Sequence, residues 1–108
     1  MSYGSLLIHA CTISRPVRVA GSNARKITYE IIATGVSCRF APLDAATKQT
    51  ILGRIPNAVH RVFFDAGTNI RDNDVLTRSE IDYTAREVIE YPGMSGADHI
   101  ECIAELKI

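Results

Sequence analysis

Apolar residues recur along this chain at every second position, in short runs separated by Gly, Pro, Asn and Asp. The clearest run closes the chain. Ile100, Cys102, Ala104, Leu106 and Ile108 alternate with Glu101, Ile103, Glu105 and Lys107, the pattern of a strand with one buried face and one mostly wet face. Ile81–Tyr91 repeats it, with Ile81, Tyr83, Ala85, Ile89 and Tyr91 at odd positions. Val59–Asp65 and Val75–Arg78 are shorter stretches of the same kind, separated by a turn-rich segment containing Gly67, Asn69 and Asn73. Nearer the start, Leu6–Arg15 is rich in β-branched residues and is closed by Pro16. Gly21, Ser22 and Asn23 then supply a loop that leads into a longer strand, Ile27–Phe40. Pro92–Ala97 is a Gly-containing hairpin loop before the final strand.

The long strand contains a change of phase. Ile27, Tyr29, Ile31 and Ala33 are apolar at odd positions, whereas Val36, Cys38 and Phe40 are apolar at even ones. A strand keeps one face on the core only if its period of two is unbroken. A β-bulge at Gly35 would insert the extra residue that restores the facing, and Gly suits such a position. Bends of this kind turn the corners of small barrels. After Pro42 the period of two disappears. Asp44 is a helix-capping residue followed by Ala45, Ala46, Thr47, Lys48 and Gln49, and Ile51 and Ile55 lie one helical turn apart. Gly53 and Pro56 limit its length. The expected fold is mainly β: a small antiparallel barrel, one domain over residues 1–108, with a short helix or long loop between the second and third strands.

Composition narrows the function. With 46% hydrophobic and 22% charged residues in 108, this is an ordinary composition for a globular domain with one core. Twelve basic residues balance twelve acidic ones, so the excess cation that drives sequence-independent nucleic-acid binding is missing. No apolar run approaches the roughly 18 residues of a membrane span. Met1–Ala10 has no basic residue ahead of Leu6-Leu7-Ile8 and does not read as a signal peptide. Cys11, Cys38 and Cys102 are odd in number and far apart, which favours free core thiols made in a reducing cytoplasm over a disulfide framework.

Several groups have side chains capable of chemistry. His9 with Cys11, His60 with Cys38, and His99 with Cys102 lack the close paired spacing of structural zinc ligands. Asp72, Asp74 and Glu80 resemble part of a calcium loop, but Thr77 occupies the position that needs glycine. Ser79-Glu80 and Asp82 have no histidine or nucleophile elbow beside them, and no phosphate-binding glycine motif occurs. His99 next to Asp98 is the one local acid–base pair. The expectation is a non-enzyme without metal or cofactor.

The order of segments resembles the bacteriophage head-closure, or head–tail joining, family. The resemblance runs from about Ile8 to Leu106. It rests on Ile13-Ser14-Arg15-Pro16, on Cys38-Arg39-Phe40-Ala41-Pro42-Leu43, on Val59-His60-Arg61-Val62, and on Gly67–Leu76, where Asn73 stands in place of the usual glycine. Tyr83, Val88-Ile89, Gly93-Met94-Ser95 and His99-Ile100-Glu101 are similar to the family's closing hairpin. Asn is the next best residue for a left-handed backbone position. The resemblance implies a virion protein at the head–tail interface, made in the bacterial host. It would form a ring of its own copies, with portal or adaptor protein above, a tail-terminator or tail protein below, packaged DNA near its channel and no contact with membrane.

On this reading Leu43–Asn57 is expected to be a thinly anchored, projecting element, with Leu43, Asp44, Thr47, Lys48, Gln49 and Arg54 meeting a neighbour or the channel. A surface helix covering one barrel end is the plain alternative. Arg15, Arg18 and Arg25 are expected on exposed loops, contacting adjacent subunits. Two other functions remain open: an oligonucleotide-binding-type barrel, and a small enzyme using His99 and Asp98.

Overall fold

The computed structural model describes residues 7–18, 27–51, 53–91 and 99–107; the side chains of Arg18 and Ile27 lie outside that description. Six strands and a helix follow one another: β1 (His9–Arg18), β2 (Ile27–Pro42), α1 (Ala45–Ile51), β3 (Ala58–Asp65), β4 (Val75–Arg78), β5 (Ile81–Tyr91) and β6 (His99–Leu106). The strands close a barrel in the order β1-β2-β3-β6-β5-β4, every pairing antiparallel. Closure is made by Thr12, Ile13 and Ser14 of β1 against Thr77, Leu76 and Val75 of β4. The expected barrel, with one short helix between its second and third strands, is the fold observed. No helix among the described residues is long and apolar enough to cross a membrane.

Alternation along each strand fills the barrel in layers. The interior holds Cys11, Ile13, Cys38, Val62, Phe64, Leu76, Ala85, Ile100 and Cys102 in one buried cluster, joined by Ile70 from the loop between β3 and β4. The three thiols behave as core hydrophobes. A hydrogen bond to Cys38, then burial, raises the Cys11 thiol above its ordinary range, and burial raises that of Cys102. Both stay protonated and unreactive.

Besides a slip in β3 between Ala58 and His60, three irregularities shape the strands. Cys11 pairs with Val36 but Ile13 with Ala33, so Thr34 and Gly35 together oppose Thr12. Gly35 has φ +60, the left-handed conformation of a bulge glycine. The bulge expected at Gly35 is therefore present. A second slip follows at once, because Ser14 pairs with Ile31. Two extra residues cancel in phase, and the inward positions stay even along β2. Tyr29 and Ile31, expected on the core face, are 49% and 64% exposed, while Ile32 packs on the core.

The third slip lies in β5, between Arg86 and Ile89, where Glu87 has φ 51. Tyr83 and Ala85 point inward, but Ile89 and Tyr91 point outward at 46% and 41% exposure. The odd positions of β5 thus do not form one face, contrary to the sequence expectation. β6 follows its alternation at Ile100, Cys102 and Ala104, yet Ile103 on the opposite face is also buried, because α1 covers it.

The turn joining β4 to β5 is a two-residue hairpin with φ 52 at Ser79 and 66 at Glu80. Positive φ at both central residues defines a type I′ turn, for which Asn-Gly is preferred. Ser79→Asn combined with Glu80→Gly is expected to stabilise the protein by about 1 kcal/mol, raising Tm by about 4–8 °C. Calorimetry checks this; a lower Tm would show that the native side chains make compensating contacts. Asn73 takes φ 74, the left-handed conformation anticipated where a glycine is usual.

Candidate functional site

The segment between β2 and β3 is built from short-range rules. Asp44 caps α1: its Oδ1 accepts the Thr47 N–H at 2.7 Å and its carbonyl accepts the Lys48 N–H at 2.9 Å. That first hydrogen bond also holds the Asp44 carboxyl below its ordinary range. The apolar pair expected on one helical surface, Ile51 and Ile55, is buried with Ala58 and with Ile103 on the outer face of β6. Leu43 packs half-buried at the edge of this small second core. The segment is therefore seated on the barrel side through this small cluster. Beyond α1 the chain stays tied to it through Ile55, whose N–H donates to the Ile51 carbonyl at 2.8 Å.

Arg54 adds a second attachment. Its guanidinium gives Nε to Glu87 Oε2 at 2.7 Å and Nη2 to Oε1 at 3.2 Å, which lowers the Glu87 carboxyl below its ordinary range. Glu87 is the left-handed residue of the β5 bulge, and the Val88 N–H beside it donates to Asp72 Oδ1 at 2.7 Å. Of the six residues expected to project, Asp44, Lys48, Gln49 and Arg54 are exposed, Arg54 while paired with Glu87, and Leu43 and Thr47 are half-buried.

Arg15, expected on an exposed loop, lies in β1 and points inward. Its Nε and Nη2 donate to Asp74 Oδ1 and Oδ2, each at 2.9 Å, and Nη2 also reaches Asn69 Oδ1 at 3.1 Å. Asp74 is 1% exposed and accepts the Arg71 N–H at 2.9 Å as well. These bonds hold the half-buried Arg15 guanidinium against Asp74. The backbone of Arg18 ends β1, with its side chain outside the described residues, and Arg25 lies outside them entirely.

Of the proposed acid–base pair, Asp98 is outside the described residues. His99 Nε2 lies 2.7 Å from Glu101 Oε2, and its ring stacks on Tyr91 with centroids 5.2 Å apart and planes 15° from parallel. Among the described residues, no group of three or more His, Cys, Asp and Glu side chains could hold a metal ion.

What the sequence did not reveal is the surface beside α1. Outward residues of β3, β6 and β5 form a continuous strip, with Arg61 between two shallow open grooves. One, of about 300 Å³, runs along Ala41–Asp44, Thr47 and Phe63. The other, of about 440 Å³, is lined by Glu87, Ile89, Tyr91, Glu101 and Ile103. Arg61 is 3.9 Å from Glu101. The result is a mixed apolar and charged strip with α1 as a ridge alongside it. Its tyrosine and arginine are of the residue types enriched in protein interfaces. Alternation did place Arg61 and Phe63 on the face of β3 opposite Val62 and Phe64; that was the signal available.

The six strands and the capped helix beside them define a small closed antiparallel β-barrel. No protein-family model matches the chain, and no curated protein matches it in sequence. Among solved structures, the chain is similar to the phage-like element PBSX protein xkdH from Bacillus subtilis, with a TM-score of 0.59 and 19% identity. The likeness covers 92% of this chain and 93% of that one. At that identity it is a likeness of fold, and it extends over nearly the whole of both.

Proposed function

We propose that this protein is a structural component of a tailed-phage particle, a ring subunit that joins the portal or adaptor complex to the tail and closes the DNA-filled head. The observation that carries this reading is the near end-to-end likeness of fold to a phage-like-element protein. The order of short motifs from Ile8 to Leu106 supports it from the sequence side. The outer strip and the α1 ridge supply what a joint needs: apolar anchors at Ile89 and Tyr91, with charges at Arg61, Glu101, Lys48 and Asp44 to set register. The commitment of Arg15 to Asp74 favours this strip over the β1 end as the inter-subunit contact.

Electron microscopy of particles assembled without the protein tests the reading. The expected outcome is DNA-filled or emptied heads without tails, restored to tailed particles when the protein is added back. Normal infectious particles in its absence would overturn the proposal.

A further inference from the structure

One end of the barrel is closed by an unusual layer. Five inward side chains meet there: His9 from β1, Phe40 from β2, His60 from β3, Arg78 from β4 and Tyr83 from β5. The Arg78 guanidinium lies 5.2 Å from the centre of the Phe40 ring. His60 meets Phe40 at 5.7 Å and Tyr83 at 5.5 Å, both edge-on, and the rings of His9 and Phe40 are 6.3 Å apart. The ladder between β1 and β2 reaches its end at His9 opposite Cys38. The next β2 amide on that side, Phe40 N–H, donates instead to His9 Nδ1 at 3.0 Å. An imidazole side chain thus continues the sheet where the main chain of β1 has left it.

We propose that this layer is a proton-operated latch: neutral His9 clips the start of β1 to β2, and protonation of His9 and His60 beside Arg78 releases it. An imidazole accepts at Nδ1 only while that nitrogen carries no proton. Protonation turns the acceptor into a donor that faces the Phe40 N–H. His60 Nδ1 is enclosed and has no hydrogen-bond partner, so a proton there would sit in the interior without an acceptor. Arg78 is a fixed cation beside both rings, and Arg39 on β2 adds another toward His9.

The acidic groups on the surrounding elements give no relief. Asp82 of β5 is bound to the Thr77 hydroxyl at 2.7 Å, and Glu105 of β6 is turned outward to Arg86 at 3.0 Å. Glu80 is exposed in the turn beyond Arg78, and Asp44 caps α1. The Cys38 thiol borders the layer too, held below its ordinary range by its hydrogen bond to Cys11 and by Arg78. Burial first, and Arg78 second, lower the affinity of both imidazoles for protons relative to the ordinary value of 6.5. A base depressed in the folded state contributes stability that is full above its unfolded value. That contribution is lost as pH falls below about 6.5 toward the lowered value. The latch is closed at neutral pH and opens on acidification.

The test is hydrogen exchange of the Phe40 amide between pH 7.5 and 5, corrected for intrinsic exchange. Protection should fall by up to about tenfold per pH unit for each proton taken up. His9→Asn places an amide oxygen near the Nδ1 position without a titrating group, and should make Phe40 protection much less dependent on pH. Constant protection in the wild-type protein, or equal loss in His9→Asn, would overturn the latch. Should that variant fold poorly, the wild-type protein still decides. The Phe40 amide shift must titrate with the same midpoint as the His9 ring carbons, and different midpoints refute the proposal.

Discussion

Replacing Arg15 by alanine is expected to destabilise the protein by about 3–5 kcal/mol, the cost of leaving a buried charge without its partner. Asp74 is 1% exposed and takes two hydrogen bonds from the Arg15 guanidinium. With Arg15 gone, only the Arg71 N–H still serves the carboxylate. The damage should also spread. Asp74 immediately precedes β4, and Val75 is the first β4 residue to pair with β1. Loosening Asp74 therefore loosens the seam that closes the barrel. For a domain of this size the loss corresponds to a fall in Tm on the order of 20 °C. Exchanging both partners, Arg15→Met with Asp74→Leu, should cost less than Arg15→Ala alone, because no charge is then stranded. Denaturant unfolding of the three proteins checks this. A cost below about 1 kcal/mol for Arg15→Ala would mean that water reaches Asp74 despite its burial.

The same ion pair shows where sequence reading reaches its limit. The sequence ends the first strand at Arg15 because Pro16 follows it, and proline ordinarily ends a strand. Here β1 continues to Arg18. Past Ser14 it pairs only with β2, so it is an edge, where a missing N–H costs little. Its partner Asp74 lies 59 positions away, and no local pattern announces such a pairing. The bulge at Gly35 was legible because two independent signals coincide there: a change in the phase of apolar residues and a residue suited to left-handed backbone. The slip beside Ile32 was hidden because Ile31, Ile32 and Ala33 are all apolar and fit either face. The slip at Glu87 was hidden for a different reason. Its left-handed residue is a glutamate, held by Arg54 from 33 positions away. The outward strip depends on that slip, since it turns Ile89 and Tyr91 away from the core. The barrel was therefore readable from alternation, whereas the surface on its outside depended on exceptions to alternation.

Ile103→Asp is expected to detach α1 while leaving the barrel closed. Ile103 faces outward on β6, beneath Ile51, Ile55 and Leu43, and belongs to a cluster separate from the barrel interior. A carboxylate cannot remain under those side chains without a partner. Exposing two isoleucines costs about 1.5–3 kcal/mol each, and releasing the helix is the cheaper relaxation. The barrel interior keeps its layers, so far-UV circular dichroism should stay β-type. The amides of Ala45–Ile51 should meanwhile exchange at nearly unprotected rates. If α1 is the ridge that meets a neighbouring protein, this variant should give heads that fail to take tails. Lys48→Glu with Gln49→Arg offers the complementary case, since both side chains are exposed and neither enters the small second core. That pair should leave Tm unchanged and lower tail attachment through the altered charge alone. Loss of attachment in Ile103→Asp but not in Lys48→Glu/Gln49→Arg would show that the grooves flanking Arg61, rather than the exposed helix face, carry the contact. Full attachment in both would remove α1 and its surroundings from the joint.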